Sequence, residues 1–164
     1  MKIGQLKGVG PKKEKILKEM DLHYIDDLLY FFPRKYVDKT KIADLKFHKS
    51  GTDGVVSGTI IDIKVKKNYG KKDIMTIKVE SQGFIGEILF FNAHYLKNKI
   101  KFQKEYFFYG KIEIKGKIFK MIHPEIEESE KKDFLIIEPI YTLPIGLGQK
   151  NIRNFIKQSL IFRI

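Results

Sequence analysis

From Gly54 onward the apolar residues stop recurring at helical spacing and begin to alternate. VVSGTIIDIKV, DIMTIKV and FIGEILFF follow in succession, separated by NYGKK and SQG, each a turn signal. NAHYLKNKI then breaks the pattern, being too polar and too rich in helix formers for a strand, and reads as a short helix. Two further alternating runs, KEYFFYGKIEI and KIFKMIHP, are joined through Lys115-Gly116. Period-two runs bounded by turn residues predict strands with one buried face. Five of them, with a short helix between the third and the fourth, are the order of an OB-fold barrel.

The flanks are helical. In LKGVGPKKEKILKEM a Gly-x-Gly bend runs into Pro11, which suits a first helical position, and Ile16, Leu17 and Met20 recur at helical spacing. A second helix carries Leu22, Ile25, Leu28, Leu29 and Phe32 on one face up to Pro33, so the two form a helical hairpin. Residues 34–53 lack periodicity and read as a surface connector. EIEESEKKD reads as a charged, solvated loop, FLIIEPIYTLP as an extra strand, and LGQKNIRNFIKQSLIFRI as a C-terminal helix that stops in mid-pattern. The expected class is mainly β with flanking α: residues 1–50 a helix-hairpin-helix-like hairpin and connector, 51–124 the barrel, and 125–164 the acidic loop, strand and last helix.

Hydrophobic residues at 43% and aromatics at 13% of 164 residues are enough to build an autonomous core. There is no cysteine, hence neither a disulfide framework nor a thiolate zinc site, and a reducing, cytoplasmic setting is expected. MKIGQLKGVG lacks a signal-peptide core, and no run reaches the ~18 apolar residues of a membrane span. The net charge of +12 is uneven: residues 1–50 hold 12 Lys/Arg against 7 Asp/Glu, 51–123 hold 14 against 7, and 124–164 hold 6 against 6. Such a bias favours polyanions through counterion release, though a merely soluble lysine-rich surface would give the same totals.

Several chemistries are missing. No G-x-x-x-x-G-K-[ST] occurs, so this stretch has no Walker-type nucleotide loop. His23, His48, His94 and His123 are scattered without metalloprotease spacing, and read as surface or core-edge histidines. Glu125, Glu127, Glu128 and Glu130 read as a solvated acidic run, and Ser57, Ser81 and Ser129 sit in no nucleophile elbow. Neither a catalytic residue, a metal ligand nor a cofactor is assigned to this chain.

Three stretches carry binding chemistry. Gly8 and Gly10, with Lys12 and Lys13, place free backbone N–H groups and positive charge at a helix start, suiting a phosphate; equally, the glycines only permit the bend. The loop VKKNYGKK sets Lys66, Lys67, Lys71 and Lys72 around Tyr69, which fits a backbone-tracking contact with one stacked base, or a hairpin where lysines meet water. In LFFNAHYL, alternation sends Phe90 and Phe91 to opposite faces, but both sets of neighbours are partly apolar, so the pattern leaves open which ring faces out. Phe91 ends the strand and Tyr95 lies one helical turn on, so these rings either pack the barrel end or form a base-stacking platform. Asn92 and Arg34 complete the candidate DNA-binding set.

Taken in order, LKGVGPKKEKIL, DLLYFFPRKYVDKT, GTI, FFNAHYL, YGKIEIKGKIFKMIHPEIE and PIYTLPIGLGQKNIRNFIKQSL resemble the N-terminal wedge region of RecG-type ATP-dependent DNA helicases, over nearly the whole chain. DLLYFFPRKYVDKT and MIHPE are the specific pieces. The resemblance implies an OB-fold inserted into branched DNA, at replication forks and Holliday junctions, with a motor of two RecA-like domains following and ATP and Mg acting there. It implies that Phe91 stacks on an unpaired base at the branch point, that Tyr95 stacks on the other arm, and that Lys71 and Lys72 contact phosphates. Gly148 stands where relatives often carry a helix-capping Ser. A monomer is expected. The rival readings are a protein-interaction module, docking for example onto the acidic tail of a single-strand-binding protein, and a free-standing single-strand binder.

Overall fold

The computed structural model describes residues 1–67 and 70–162. The chain divides into two compact units, Asp38–Ile136 and a second built from both ends, Met1–Val37 with Ile137–Ile164. This grouping differs from the sequence-based segments at 50 and 124, because the helix at each end contributes to a single core.

In the terminal unit, α1 (Pro11–Glu19) begins behind Gly10, with Pro11 at its first position. The expected second helix is instead a 3-10 segment, Ile25–Tyr30. The Asp27 carboxylate accepts the His23 and Tyr24 N–H groups, both at 2.8 Å, and tightens that start. At three residues per turn Ile25 and Leu28 share the buried face, which leaves Phe32, expected on it, 76% exposed. Residues expected to form a plain connector begin with a strand, β1 (Lys35–Asp38).

The barrel unit follows. β2 (Thr52–Lys66) is long and bent, with an irregular register between Ile60 and Asp62. Its first half pairs with β5 and its second with β3. Next come β3 (Ile74–Ser81), β4 (Phe84–Phe91), β5 (Glu105–Lys115) and β6 (Ile118–Ile122). β4 and β6 are parallel, the other barrel pairs antiparallel, and the β2–β5 pairing closes the ring β2-β3-β4-β6-β5. The OB-fold expectation is met in strand order and closure. The helix expected between the third and fourth barrel strands is one 3-10 turn, His94–Leu96, held by buried Leu96. Glu125–Glu128, expected to be a loop, forms β7 on the edge of β5. Ile126 packs on the core while Lys104 holds Glu128 at 3.0 Å, and this hydrogen bond keeps the Glu128 carboxyl below its ordinary range.

The chain then returns to the terminal unit with β8 (Ile137–Ile140), which pairs with β1, and α2 (Gln149–Ile161), which starts at Gly148 as its cap. Ile3, Leu6, Leu17, Leu22, Ile25 and Leu28 from one end pack with Tyr141, Leu147, Ile152 and Phe155 from the other. Gln158 clasps the Lys7 backbone, accepting its N–H at 2.9 Å and donating to its carbonyl at 3.0 Å.

Alternation fills the barrel. Met75, Ile77 and Val79 of β3, Ile88 and Phe90 of β4, Phe108 and Ile112 of β5, and Phe119 and Met121 of β6 share its core. A charged side chain is also buried in this unit: Lys39, 1% exposed, lies over the rings of Tyr109 (4.4 Å) and Phe134 (5.1 Å) and pairs with Glu125. Desolvated ammonium–ring contacts are worth about 2 kcal/mol. Breaking a buried pair costs ~3–5 kcal/mol, less here because Glu125 is half exposed and regains water. We expect Lys39→Ala to lower unfolding free energy by about 2–4 kcal/mol in urea titrations, with Lys39→Met recovering part. A loss below about 1 kcal/mol would show that the cage contributes nothing beyond an ordinary surface pair.

Candidate nucleic-acid interface

Alternation along β4 turns Gly86, Ile88 and Phe90 inward, and Glu87, Leu89 and Phe91 outward. Phe90 is 2% exposed and belongs to the barrel core. Cross-strand register places Phe91 opposite Ile74, and Ile74 opposite Lys66, so the three form one outer row. The next outer row holds Lys64, Thr76, Leu89 and Ile122. This surface, on the second and third barrel strands, is where OB-folds take oligonucleotides.

Phe91 is half buried because His123, from the end of β6, covers part of it: the ring centroids are 5.4 Å apart and the Phe91 N–H donates to His123 Nε2 at 3.0 Å. Sequence reasoning left His123 among the scattered histidines; the MIHPE stretch was its one signal. Asn92, with a left-handed φ of 51°, exchanges two hydrogen bonds with the Asp73 backbone, its N–H donating to the carbonyl (2.9 Å) and its side-chain oxygen accepting the N–H (3.1 Å). His94 lies 3.2 Å from the Asp73 carboxylate. The end of the β2–β3 loop is thereby tied to the turn that follows Phe91. Asn92, a candidate DNA contact, is thus also part of the framework of this end of the barrel.

Tyr95, 63% exposed, projects from that turn with Lys99 Nζ 6.0 Å from its ring centroid. Lys66, Lys67, Lys71 and Lys72 are all exposed, whereas Tyr69 lies outside the described residues. The barrel unit therefore gathers Phe91, Asn92, Tyr95 and these four lysines around one end of β2, β3 and β4.

The remaining candidates belong to the terminal unit. Arg34 has an exposed side chain and donates its N–H to Ile140 at 2.8 Å. Gly8 adopts φ 91°, which a side chain would strain, and Gly10 is the extended residue before α1. Lys13 folds back onto the Gly8 carbonyl at 3.2 Å and over the Phe155 ring, while Lys12 is exposed. Among the described residues no cluster of three or more His, Asp or Glu is arranged for a metal, and no helix is long and apolar enough to cross a membrane.

A closed five-stranded barrel with an outward aromatic at the end of its third strand defines an OB-fold module. Residues 2–162 match the RecG wedge domain, and the chain belongs to that family. It superposes with a TM-score of 0.85, at 30% identity, on a solved structure of RecG bound to a three-way DNA junction, covering 96% of this chain and 22% of that one. The ATP-dependent DNA helicase RecG of Staphylococcus aureus strain MRSA252 is 31% identical over 162 residues, 95% of this chain. The Thermotoga maritima RecG helicase is 32% identical over 159 residues. The chain spans 23% and 20% of these two relatives.

Proposed function

We propose that this chain is the branched-DNA-binding wedge of a RecG-type helicase, docking at forks and Holliday junctions and parting their strands while a motor elsewhere in the parent translocates with ATP and Mg. The observation that carries the reading is Phe91: an outward ring at the end of β4, in the same row as Lys66 and beside the basic β2–β3 loop. Opening a junction unstacks a base, and an aromatic face held at the branch point replaces the lost contact. Tyr95 offers a second face. Lys66, Lys67, Lys71, Lys72 and Arg34 supply phosphate contacts, which orient the arms without reading sequence. The start of α1 adds a weaker phosphate contact through Gly8, Gly10, Lys12 and Lys13. Nucleotide hydrolysis belongs to the parent's motor.

Titration of this chain with a three-way junction, an unbranched duplex and a single strand, at several salt concentrations, tests the reading. The junction should bind most tightly, and Lys71→Ala with Lys72→Ala should reduce the slope of log affinity against log salt by about two on junction and duplex alike. Equal affinity for junction and single strand would identify a single-strand binder instead. Loss of DNA binding with retention of an acidic peptide would identify a protein-interaction module.

A further inference from the structure

We propose that His123 is the positioning residue for the Phe91 ring, an inference that rests on the stacking role just given. His123 continues the β4–β6 pairing one residue past Ile122, its N–H donating to the Leu89 carbonyl at 2.8 Å. Its left-handed φ of 47°, a conformation that His and Asn tolerate better than branched residues, precedes buried Pro124. The imidazole meets Phe90 edge-on at 5.6 Å and Phe91 at 5.4 Å. A backbone N–H can only donate, so Nε2 is the acceptor and turns its lone pair towards Phe91.

Phe91 is the last residue of its strand, where pairing frays and a half-buried ring has few walls. His123 supplies two things there with one side chain, an acceptor for the terminal N–H and a flat surface beside the ring. An aliphatic residue would give the wall without the acceptor, and a carboxylate would give the acceptor with a charge set beside two aromatic rings. Glutamine reproduces the acceptor at the reach of Nε2.

The test compares His123→Ala, His123→Gln, Phe91→Ala and the His123→Ala/Phe91→Ala pair in the whole chain, by amide exchange at Phe91 and by affinity for a three-way junction and an unbranched duplex. His123→Ala should speed exchange at the Phe91 amide about tenfold and weaken junction binding about three- to tenfold, the worth of one hydrogen bond, with the duplex unchanged. It should cost nothing more once Phe91 is alanine, and His123→Gln should restore most of both signals. If Phe91→Ala abolishes junction preference and His123→Ala does not, the positioning role is wrong while the stacking role stands. Losses that multiply in the double variant overturn it too, since His123 would then act by itself. If Phe91→Ala spares the preference, the stacking role fails, and unchanged amide exchange in His123→Ala removes the contact as well. Should His123→Ala unfold, weakening junction and duplex alike, His123→Gln carries the comparison: normal Phe91 exchange and junction binding support the role, and wild-type exchange with lost junction preference overturns it.

Discussion

Phe91→Ala is expected to weaken binding to a three-way junction by about five- to 150-fold, the range that corresponds to ~1–3 kcal/mol for one stacked base, and to leave unbranched duplex within about twofold. The asymmetry follows from what each DNA form offers. A duplex keeps its bases stacked on one another and presents phosphates, which on the proposed reading the exposed lysines would meet whether or not Phe91 is present. Only a junction has a base whose stacking partner is gone. Because Phe91 is half buried outside the barrel, whereas Phe90 lies within the core, the substitution should cost little stability. Titrations at one salt concentration decide the matter, and equal losses on both substrates would sink the stacking role. Tyr95→Ala should follow the same direction with a smaller effect, since its turn is shorter and its ring carries only a distant lysine.

Gly86→Ala should be the most damaging small substitution in the barrel. A Cβ at this position would lie 2.2 Å from Phe119 Cζ and 2.6 Å from Val79 Cγ2, and both residues are fully buried. Overpacking of this kind costs about 1–3 kcal/mol and more where the neighbours cannot move, so a loss of about 3 kcal/mol or more is expected. For a unit of this size that corresponds to a fall in Tm of roughly 12 °C or more. Phe119→Leu provides the check. Alone it opens a void and destabilises; in the Gly86→Ala background it makes room and should raise Tm. If the two losses simply add, the close approach of glycine and ring is not what holds this position.

The barrel was legible in the sequence because its strands alternate against one core, and a period of two survives whatever lies around it. The pairs that were missed lack this support. β1, four mostly exposed residues, went unseen because it is a strand only through β8, its partner, which the FLIIEPIYTLP run did suggest. Glu125–Glu128 looked like a loop because three of its four residues are acidic; its pairing with Tyr106–Tyr109 of β5 is a long-range fact that no local window contains. Lys39 was invisible for another reason. Composition assigns lysine to the surface, and Tyr109, Phe134 and Glu125, brought from elsewhere in the chain, help to make its burial tolerable.

At the candidate interface the residue types were readable and the contacts were not. Alternation showed that Phe90 and Phe91 part; closure of the barrel around Phe90 decided which way. The side chain of Asn92 accepts the Asp73 N–H, nineteen residues away, a contact no local pattern announces. His123 stands 32 residues from the N–H it accepts, a distance at which sequence can supply only a motif.

The terminal unit has a consequence for the order of events in synthesis. Ile3, Leu6 and Leu17 reach their buried state only against Leu147, Ile152 and Phe155, which emerge from the ribosome after the entire barrel. Residues 3–17 therefore belong to a core that closes only after the barrel has been made, and a chain growing at ~5–20 residues per second has about one to four seconds between Ile136 and Phe155 in which the barrel can close while that core still lacks its second half.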